Sequence, residues 1–410
     1  MDETGLAKSR LRLAVFTSQA PWGKSESFVL TEIAELRRRV EAILVIPVRP
    51  RSALFHGELA RRVGQYAIRL PVVSPMILIC ATVAFFRSPG RVARALMEVI
   101  KGSSGLSVLM KNLVVYPKAV YVARLVRRFG AHHIHAYWAS VPATMALVVS
   151  RLTGVPWSFT AHRWDVAENN LLWTKVRAAQ FARVISNAGR NEILRIIRKQ
   201  DWPTLLTLHM GVALPDDPAL PIVRSKPSFS IGCVANLLEV KGHRYLIEAC
   251  ALLQQRGHHF VCNIIGHGPL RKDLERRVRE YGLQGFVKFW GPLPHEEVIG
   301  TLRRREIDLM VLPSIKTATG EHEGIPVALM EALAFRIPVV STSTGAISEL
   351  ISDGAGVLVK PADAKALADA IERVLVDSAY QSLLAERGFE RVSSAFALDT
   401  AIDRLLSLMQ

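Results

Sequence analysis

The order of hydrophobic and polar positions along the chain alternates between two patterns. Apolar runs of four to seven residues, the length of buried strands, are separated by longer segments in which apolar residues recur every three or four positions, as on helices. In the first half the expected strands are residues 11–16, 42–48, 133–136, 157–161 and 183–186, and in the second half they are 229–235, 261–265, 287–290, 307–313 and 337–342. This alternation predicts a parallel sheet covered by helices on both faces in each half.

A proline-rich stretch separates the two halves. Residues 215–227 contain four prolines and little periodicity, which is typical of a linker. A chain of 410 residues is also long enough for two domains. We therefore expect a first domain over residues 1–214, a second over 228–392, and a final helical segment, 393–410, that packs back toward the first domain.

Charge is unevenly distributed between the halves. Residues 1–200 carry 30 Lys and Arg against 11 Asp and Glu, a net +19, whereas the remainder carries 22 against 25, a net −3. A basic first half suits an anionic membrane surface, a phosphate-bearing acceptor or nucleic acid. Nucleic acid fits least, because the basic residues are dispersed and are not interleaved with stacking aromatics, so we expect no nucleic-acid partner.

One apolar segment lies within the basic half. Residues 70–86 carry no charge and are followed by Arg87, Arg91 and Arg94. Their 17 positions, interrupted by two prolines, fall short of the roughly 20 that a membrane span needs. We expect residues 70–128 to form an apolar and basic helical region that associates with an anionic membrane surface. A buried core helix and a true span are the alternatives.

Cysteine usage and the start of the chain bear on the compartment. The four cysteines form no C-x-x-C pair, so we interpret them as small core residues of a reduced compartment. We expect no signal peptide, because no charged segment followed by a long apolar one opens the chain. The expected location is the cytoplasm, peripherally on the inner face of the cytoplasmic membrane.

The run 323–331 carries the strongest chemical signal. It reads as a loop that turns into a helix, with Glu323 before the helix and Glu331 inside it. Pro326 suits the first helical position, Gly324 allows a ligand to approach closely, and the free N–H groups of the first turn form an anion site. Carboxylates on both sides of a bound phosphate can accept hydrogen bonds from hydroxyls, which describes a nucleotide sugar. Two solvated glutamates are the alternative.

Four further loops follow predicted strands. Because the carboxyl ends of parallel strands form the ligand-binding edge of an open α/β sheet, their polar residues are candidates. Each has a structural alternative, such as an exposed lysine or a histidine bonded to the backbone. The candidates are Gly23, Ser25 and Glu26 after the first strand, His162, Arg163 and Asp165 later in the first domain, Asn236 and Lys241 at the start of the second, and Gly266 and Gly268 in a glycine-rich turn.

Together these motifs resemble the retaining glycosyltransferases of family 4, which have the GT-B fold. The resemblance covers nearly the whole chain and is strongest over residues 231–359. It rests on VANLLEVKG, on IIGHGPLRKDLE, on VLPS followed by EGIPVALMEALA with its two glutamates, and on STSTGAISELISDGAGVLV. In the first half, SESF and FTAHRWD are similar to bacterial members that build exopolysaccharide, such as the colanic acid enzymes.

The resemblance implies two Rossmann-like, doubly wound parallel-sheet domains with an interdomain cleft. Glu323 would hold hydroxyls of the donor sugar and Glu331 the ribose. Lys241 would neutralise the leaving diphosphate, and His162 would contact the donor sugar from the first domain. The donor-binding set would comprise Gly23, Asn236, Gly266, Gly268, Gly324, Ile325, Pro326, Val327 and Glu331, and the acceptor-side set Ser25, Glu26, Arg163 and Asp165.

The resemblance also implies a reaction and its partners. A hexosyl group would move from a UDP- or GDP-linked sugar to a lipid-linked glycan or polysaccharide with retained configuration, without a metal or another cofactor. The family's arginine falls on Asn236, which can bond phosphate but brings no charge, so Arg244 or Arg163 would compensate and Lys241 would matter more. A catalytically silent scaffold and a nucleotide-sugar epimerase of the same fold are the alternatives.

Overall fold

The structure, a computed structural model, describes residues 9–22, 26–50, 57–200, 202–215 and 228–410. The chain divides into two compact units. Unit 1 comprises Met1–His209 with Ala401–Gln410, and unit 2 comprises Met210–Thr400. Each unit is built on one parallel six-stranded sheet. Of the expected linker, 216–227 lies outside the described residues.

The sheet of unit 1 has the order β2-β1-β3-β4-β5-β6. The direction in which successive strands are added changes between β1 and β3, which pair in parallel. Such a switch point opens a crevice at the carboxyl edge of a doubly wound sheet. The strands are β1 Ser9–Thr17, β2 Val40–Pro47, β3 His133–Ala136, β4 Trp157–Ala161, β5 Phe181–Val184 and β6 Leu205–Thr207.

Helices cover this sheet. The last helix of the chain returns to unit 1, where Gln410 Nε2 donates to Ser9 Oγ at 2.9 Å and Asp403 pairs with Arg39. The helices of unit 1 are α1 Ser27–Arg39, α2 Gly57–Gly64, α3 Pro75–Arg87, α4 Pro89–Gly102, α5 Leu106–Phe129, α6 Val141–Thr153, α7 Arg163–Glu168, α8 Leu172–Ala178 and α9 Asn187–Ile196, together with α17 Leu398–Met409 from the end of the chain.

Among the described helices, α5 alone is long and apolar enough by itself to cross a membrane, and half of its most apolar window is buried. Lys118 lies near its middle, fully buried, and Nζ donates to the carbonyls of Pro47, Val48 and Leu70 at 2.8–2.9 Å. Burial lowers the pKa of Lys118 to about 8. A buried amine needs hydrogen-bond acceptors, and Lys118 finds three of them in carbonyls of its own unit. We therefore assign α5 to the core of unit 1.

The sheet of unit 2 has the order β12-β11-β10-β7-β8-β9. Counted from β7, this is the strand order 6-5-4-1-2-3 of the Rossmann sheet, with its switch point between β7 and β10. The strands are β7 Phe229–Val234, β8 Phe260–Ile265, β9 Val287–Gly291, β10 Leu309–Leu312, β11 Val339–Thr342 and β12 Val357–Val359.

The helices of unit 2 connect these strands. A short 3₁₀ helix, Glu239–Lys241, precedes the first of them. The α-helices are α10 His243–Gln255, α11 Arg271–Glu280, α12 His295–Arg303, α13 Val327–Ala334, α14 Ile347–Leu350, α15 Ala364–Val376 and α16 Ser378–Ala395.

The observed elements differ from the expected ones mainly where segments are short. The strand expected at 183–186 lies at Phe181–Val184, and β6 and β12, of three residues each, were not predicted. The helix expected to begin at Pro326 begins one residue later. Pro326 is instead its N-cap, with φ −73° and ψ 120°, because its extended ψ still belongs to the loop.

Candidate functional site

The topology of unit 2 brings two distant loops together. β7 and β10 are neighbours, yet their connections lead to opposite sides of the sheet. The loop after β7 leads to Lys241, and the loop after β10 leads to Glu323. Both residues are therefore expected at the switch point, where ligands bind in open α/β folds.

Lys241 and Glu323 are in direct contact. Nζ of Lys241 donates to Oε2 of Glu323, and Ser314 Oγ donates to the same oxygen at 3.3 Å. The two charged side chains are 19% and 15% exposed. Partial burial strengthens the attraction between the charges, and the remaining exposure leaves both groups within reach of a ligand. A ligand with an anionic group and hydroxyls can replace either partner.

Two glycines hold these loops against each other. Gly242 has φ +67°, and a Cβ there would lie 1.9 Å from the carbonyl oxygen of Pro313. Gly345 has φ +60°, and a Cβ there would lie 1.9 Å from the carbonyl oxygen of Glu323. The N–H of Ala346 donates to the same Glu323 carbonyl at 3.3 Å. Only glycine permits such approaches, so the backbone beside both charged residues is fixed by close contact.

The helix α13 starts at Val327, four residues after Glu323. Within the described residues the N–H groups of Val327 and Ala328 have no acceptor, as expected for the first turn of a helix. A Cβ on Gly324 would meet nothing within 4 Å, so the space beside the Gly324 backbone is open. Unpaired N–H groups and the positive end of the helix dipole favour an anion there. Ile325 is buried and anchors this turn in the core.

Glu331, one turn into α13, has a partner that the sequence did not suggest. Its Oε1 is 2.6 Å from Nε2 of His295 at the start of α12. Burial alone would lower the pKa of His295, but the hydrogen bond to Glu331 and its charge outweigh burial and raise that pKa. His295 therefore fixes the direction of the Glu331 carboxylate.

Gly266 and Gly268 pack the turn after β8 against the loop after β7. Gly266 has φ +151°, and a Cβ there would lie 1.9 Å from the carbonyl oxygen of Ala235. A Cβ on Gly268 would lie 2.4 Å from the carbonyl oxygen of Leu237. These contacts explain both glycines without a ligand, and their predicted contact with a donor stays a prediction.

Asn236, in the loop after β7, is exposed. Its side chain makes no hydrogen bond within the described part of the chain. Arg244, one candidate to supply the missing charge, donates to the hydroxyl of Tyr245 and lies over that ring, with Cζ 4.5 Å from the ring centre. Its guanidinium is therefore engaged within the protein.

In unit 1, Glu26 points inward. Its carboxylate accepts the N–H groups of Ser18, Gln19 and Ala20 at 2.5–3.2 Å and is also bonded by the indole N–H of Trp138. Burial raises the pKa of Glu26, although these four donors oppose that shift. Glu26 therefore holds the loop after β1. Its predicted place on the acceptor side stays a prediction.

Asp165 is also buried and bonded to backbone. Its two oxygens accept the N–H groups of Ser140 and His162, each at 3.0 Å. Burial raises the pKa of Asp165 to about 6. Nearby, Nζ of Lys175 donates to the carbonyls of Ala139 and Ser140, and burial lowers the pKa of Lys175 to about 7. Asp165 thus positions the His162 backbone, and Lys175 is a positioning residue that the sequence did not suggest.

His162 caps the end of β4 with a neutral ring. Burial, then the positive charge of Arg183, lowers its pKa to about 3. The ring lies 4.4 Å from that of Trp138 and 5.2 Å from that of Phe28, centre to centre. Nε2 is buried and has no partner within the described residues, and its predicted contact with a donor sugar stays a prediction.

The remaining predicted residues add little. The guanidinium of Arg163 lies over Trp164, with Cζ 5.3 Å from the ring centre. Gly23 and Ser25 lie outside the described residues. Among the described residues, no group of three or more His, Cys, Asp or Glu is arranged to hold a metal ion. The structure therefore brings Lys241 together with Glu323, places both beside α13, and gives Glu331 its own partner.

One protein family matches the part of the chain that forms this site. The family described as Glycosyl transferases group 1 matches residues 222–391. That segment is a glycosyl transferases group 1 domain. It contains Lys241, Glu323, Glu331 and the whole sheet of unit 2.

Two curated relatives carry names from exopolysaccharide synthesis. The chain is 37% identical over 203 residues to the putative colanic acid biosynthesis glycosyltransferase WcaL of Escherichia coli K12, covering 49% of this chain and 50% of that protein. It is 44% identical over 142 residues to the amylovoran biosynthesis glycosyltransferase AmsK of Erwinia amylovora, covering 34% of each. The chain thus spans half or less of the length of these relatives.

Solved structures match almost the whole chain. The Anabaena protein Alr3699/HepE, in complex with UDP-glucose, has a TM-score of 0.69 at 16% identity and covers 96% of this chain and 99% of its own. Sucrose-phosphate synthase from Thermosynechococcus elongatus has a TM-score of 0.69 at 18% identity, covering 97% and 98%. At these identities the likeness establishes the fold alone, and it confirms the predicted GT-B fold.

Proposed function

We propose that the protein is a retaining glycosyltransferase that moves a hexosyl group from a UDP- or GDP-linked sugar to a lipid-linked glycan or polysaccharide. The observation that carries this proposal is the contact between Lys241 and Glu323 beside the open start of α13. A cation, unpaired N–H groups and a carboxylate at one switch point suit a ligand that combines a diphosphate with hydroxyls.

The chemistry follows from these groups. When the glycosidic bond to the diphosphate breaks, negative charge develops on the leaving phosphate. Lys241 and the N–H groups of Val327 and Ala328 would stabilise that charge, and such preorganised donors are a principal source of catalysis. Because these groups already supply positive charge, the proposed reaction needs no metal ion.

The two carboxylates would orient the donor. Glu323, released from Lys241 by the bound phosphate, would accept hydrogen bonds from hydroxyls of the sugar. Glu331, whose direction is fixed by His295, would accept from hydroxyls of the ribose. Retention would follow from attack on the same face of the sugar without a protein nucleophile.

The relatives support the direction of this proposal. WcaL and AmsK are named for the synthesis of colanic acid and amylovoran, and HepE has been solved with UDP, with UDP and glucose, and with UDP-glucose. For this chain we propose a matching role in bacterial cell-surface glycan synthesis, in the cytoplasm at the inner face of the membrane. Unit 1 would then bind the acceptor and the membrane surface.

A donor panel tests the proposal. The protein would be incubated with UDP- and GDP-sugars and a membrane extract as acceptor, and products identified by mass spectrometry. We expect one donor to add a hexosyl mass to an acceptor, with the anomeric configuration of the donor retained by NMR. Epimerisation of a donor without acceptor would instead establish the epimerase, and absence of binding to any donor would establish the silent scaffold that Asn236 suggests.

A further inference from the structure

We infer that unit 1 carries a binding site for the phosphate head group of an anionic membrane phospholipid, where α3, α4 and α5 meet. The site is a cavity of about 250 Å³ lined by residues of all three helices. This inference deepens the membrane contact proposed above, because it assigns that contact to particular side chains.

The cavity has strong positive charge. Arg87, Arg91, Arg124 and Arg127 line it, and no acidic residue does. Nη1 of Arg124 is 3.3 Å from Sγ of Cys80, and Arg127 donates to a backbone carbonyl. Arg87 and Arg91 are exposed, and within the described part of the chain their guanidinium groups make no hydrogen bond or ion pair. Two uncompensated guanidinium groups are the donors that a phosphate prefers.

The surroundings of the cavity are apolar. Of the 19 exposed large hydrophobic residues in the described chain, 12 lie between Val73 and Val114. Ile79 and Phe86 on α3 are 64% and 77% exposed, and Val83 of the same helix lines the cavity. Exposed apolar side chains beside unpaired arginines are the pattern of helices that lie at a lipid head-group layer.

Size and shape favour a phospholipid over the lipid-linked acceptor. A cavity of about 250 Å³ is smaller than the roughly 300–1,000 Å³ pockets that enclose drug-sized ligands, so it suits a phosphate with its glycerol and not a sugar diphosphate. The chain bends by 115° between α3 and α4, and residues at this bend line the cavity. The acyl chains would continue along the exposed apolar residues.

Cys80 provides a reporter within the cavity. It is partly exposed, whereas the other three cysteines are buried, so a maleimide should label it selectively. The full chain would be labelled with and without short-chain phosphatidylglycerol kept below its micelle concentration. We expect this lipid to slow labelling about tenfold, and short-chain phosphatidylcholine to have much less effect.

Two double variants separate a site from diffuse attraction. Arg87→Gln with Arg91→Gln removes the two unpaired cations and should abolish the protection of Cys80. Arg94→Gln with Lys101→Gln removes the same charge from α4 outside the cavity lining and should leave protection intact. Equal loss in both double variants would mean diffuse attraction and would overturn the site.

Further arms identify the occupant. Protection by farnesyl diphosphate or inorganic phosphate alone, without protection by phosphatidylglycerol, would overturn the phospholipid assignment. Vesicles of phosphatidylcholine with phosphatidylglycerol test membrane contact separately. If Ile79→Ser with Phe86→Ser abolishes vesicle binding while short-chain lipid still protects Cys80, the head-group site stands and the apolar surface is shown to be a distinct part of the contact.

Discussion

The candidate residues of the two units differ in what they bond to. In unit 1, Glu26 and Asp165 are buried, and their carboxylates accept backbone N–H groups of neighbouring loops. In unit 2, Lys241 and Glu323 are partly exposed and bond to each other. The first pair cannot change partners without breaking a loop, whereas the second pair can.

This difference separates residues that build a site from residues that bind. A buried carboxylate that satisfies several N–H groups contributes to stability, and its removal leaves those donors unpaired. A partly exposed ion pair contributes little to stability, so its charges are available for a ligand. The loops of unit 1 are therefore expected to respond to substitution through folding, and those of unit 2 through activity.

The largest expected effect is on catalysis in unit 2. Lys241→Ala removes the cation proposed to stabilise the leaving phosphate, and kcat should fall roughly 10²–10³-fold, the usual cost of removing one such donor. Its thermal unfolding should stay close to wild type, because only a partly exposed pair is lost. Lys288→Ala, an exposed lysine of the same unit, is the control and should retain full activity. Full transfer by the Lys241 variant would end the proposed role.

In unit 1 the expected effect is on stability. Asp165→Ala leaves the N–H groups of Ser140 and His162 without acceptors, and the free energy of unfolding should fall by about 2–4 kcal/mol in urea titrations. Glu58→Ala, which removes an exposed carboxylate of the same unit, should change it by about 0.5 kcal/mol or less. A stable Asp165 variant with reduced activity would place Asp165 in the binding machinery and erase the contrast between the units.

Most of the fold could be predicted from the sequence, because the central strands are continuous apolar runs. β10 and β11 lie within the predicted runs 307–313 and 337–342. The short edge strands β6 and β12 were not predicted, because each has only three residues, too few for a periodic signal. The strand order could not be read from the pattern either, because it depends on which faces the connecting helices cover.

The candidate site was predictable only in part. Lys241 and Glu323 follow strands, so their place at the sheet edge could be inferred, but their contact across 82 positions required the strand order. His295 gave no signal, because its partner Glu331 lies 36 positions away on another helix. The three backbone donors around Glu26 could not be foreseen either, because a sequence does not show which carboxylates face their own loop.

A smaller effect concerns the pH dependence of unit 2. The folded pKa of His295 is raised by Glu331, so its stabilising contribution is full below the unfolded pKa of about 6.5 and is lost as pH rises through the folded pKa. His295→Gln keeps a donor but removes the charge. The free energy of unfolding of the wild type should exceed that of the His295→Gln variant by about 1–2 kcal/mol at acidic pH. This difference should shrink as the pH becomes alkaline.

Urea unfolding over a pH series measures that difference, with His267→Gln, an exposed histidine of the same unit, as the control. A gap between wild type and the His295 variant that widened as pH rose would contradict the proposed pair.

The smallest expected effect concerns Asn236, which stands where the resembled family has an arginine. Asn236→Arg supplies a cation at the exposed end of β7, and affinity for a nucleoside diphosphate should rise roughly fivefold, or about 1 kcal/mol. Gln284→Arg adds the same charge elsewhere on the exposed surface of unit 2 and should not change the affinity. If the two substitutions act alike in titration calorimetry, Asn236 is remote from the diphosphate.

The most direct test of the central claim, that the start of α13 receives the diphosphate of the donor, is calorimetric titration with UDP and GDP. The wild-type chain should bind at least one of them. Gly324→Ala should bind it more weakly while unfolding like wild type, because its new Cβ meets nothing in the protein within 4 Å and can obstruct only a ligand. Gly285→Ala, equally unobstructed, should bind like wild type. No binding to the wild-type chain, or equal binding by the Gly324 variant, would contradict the account.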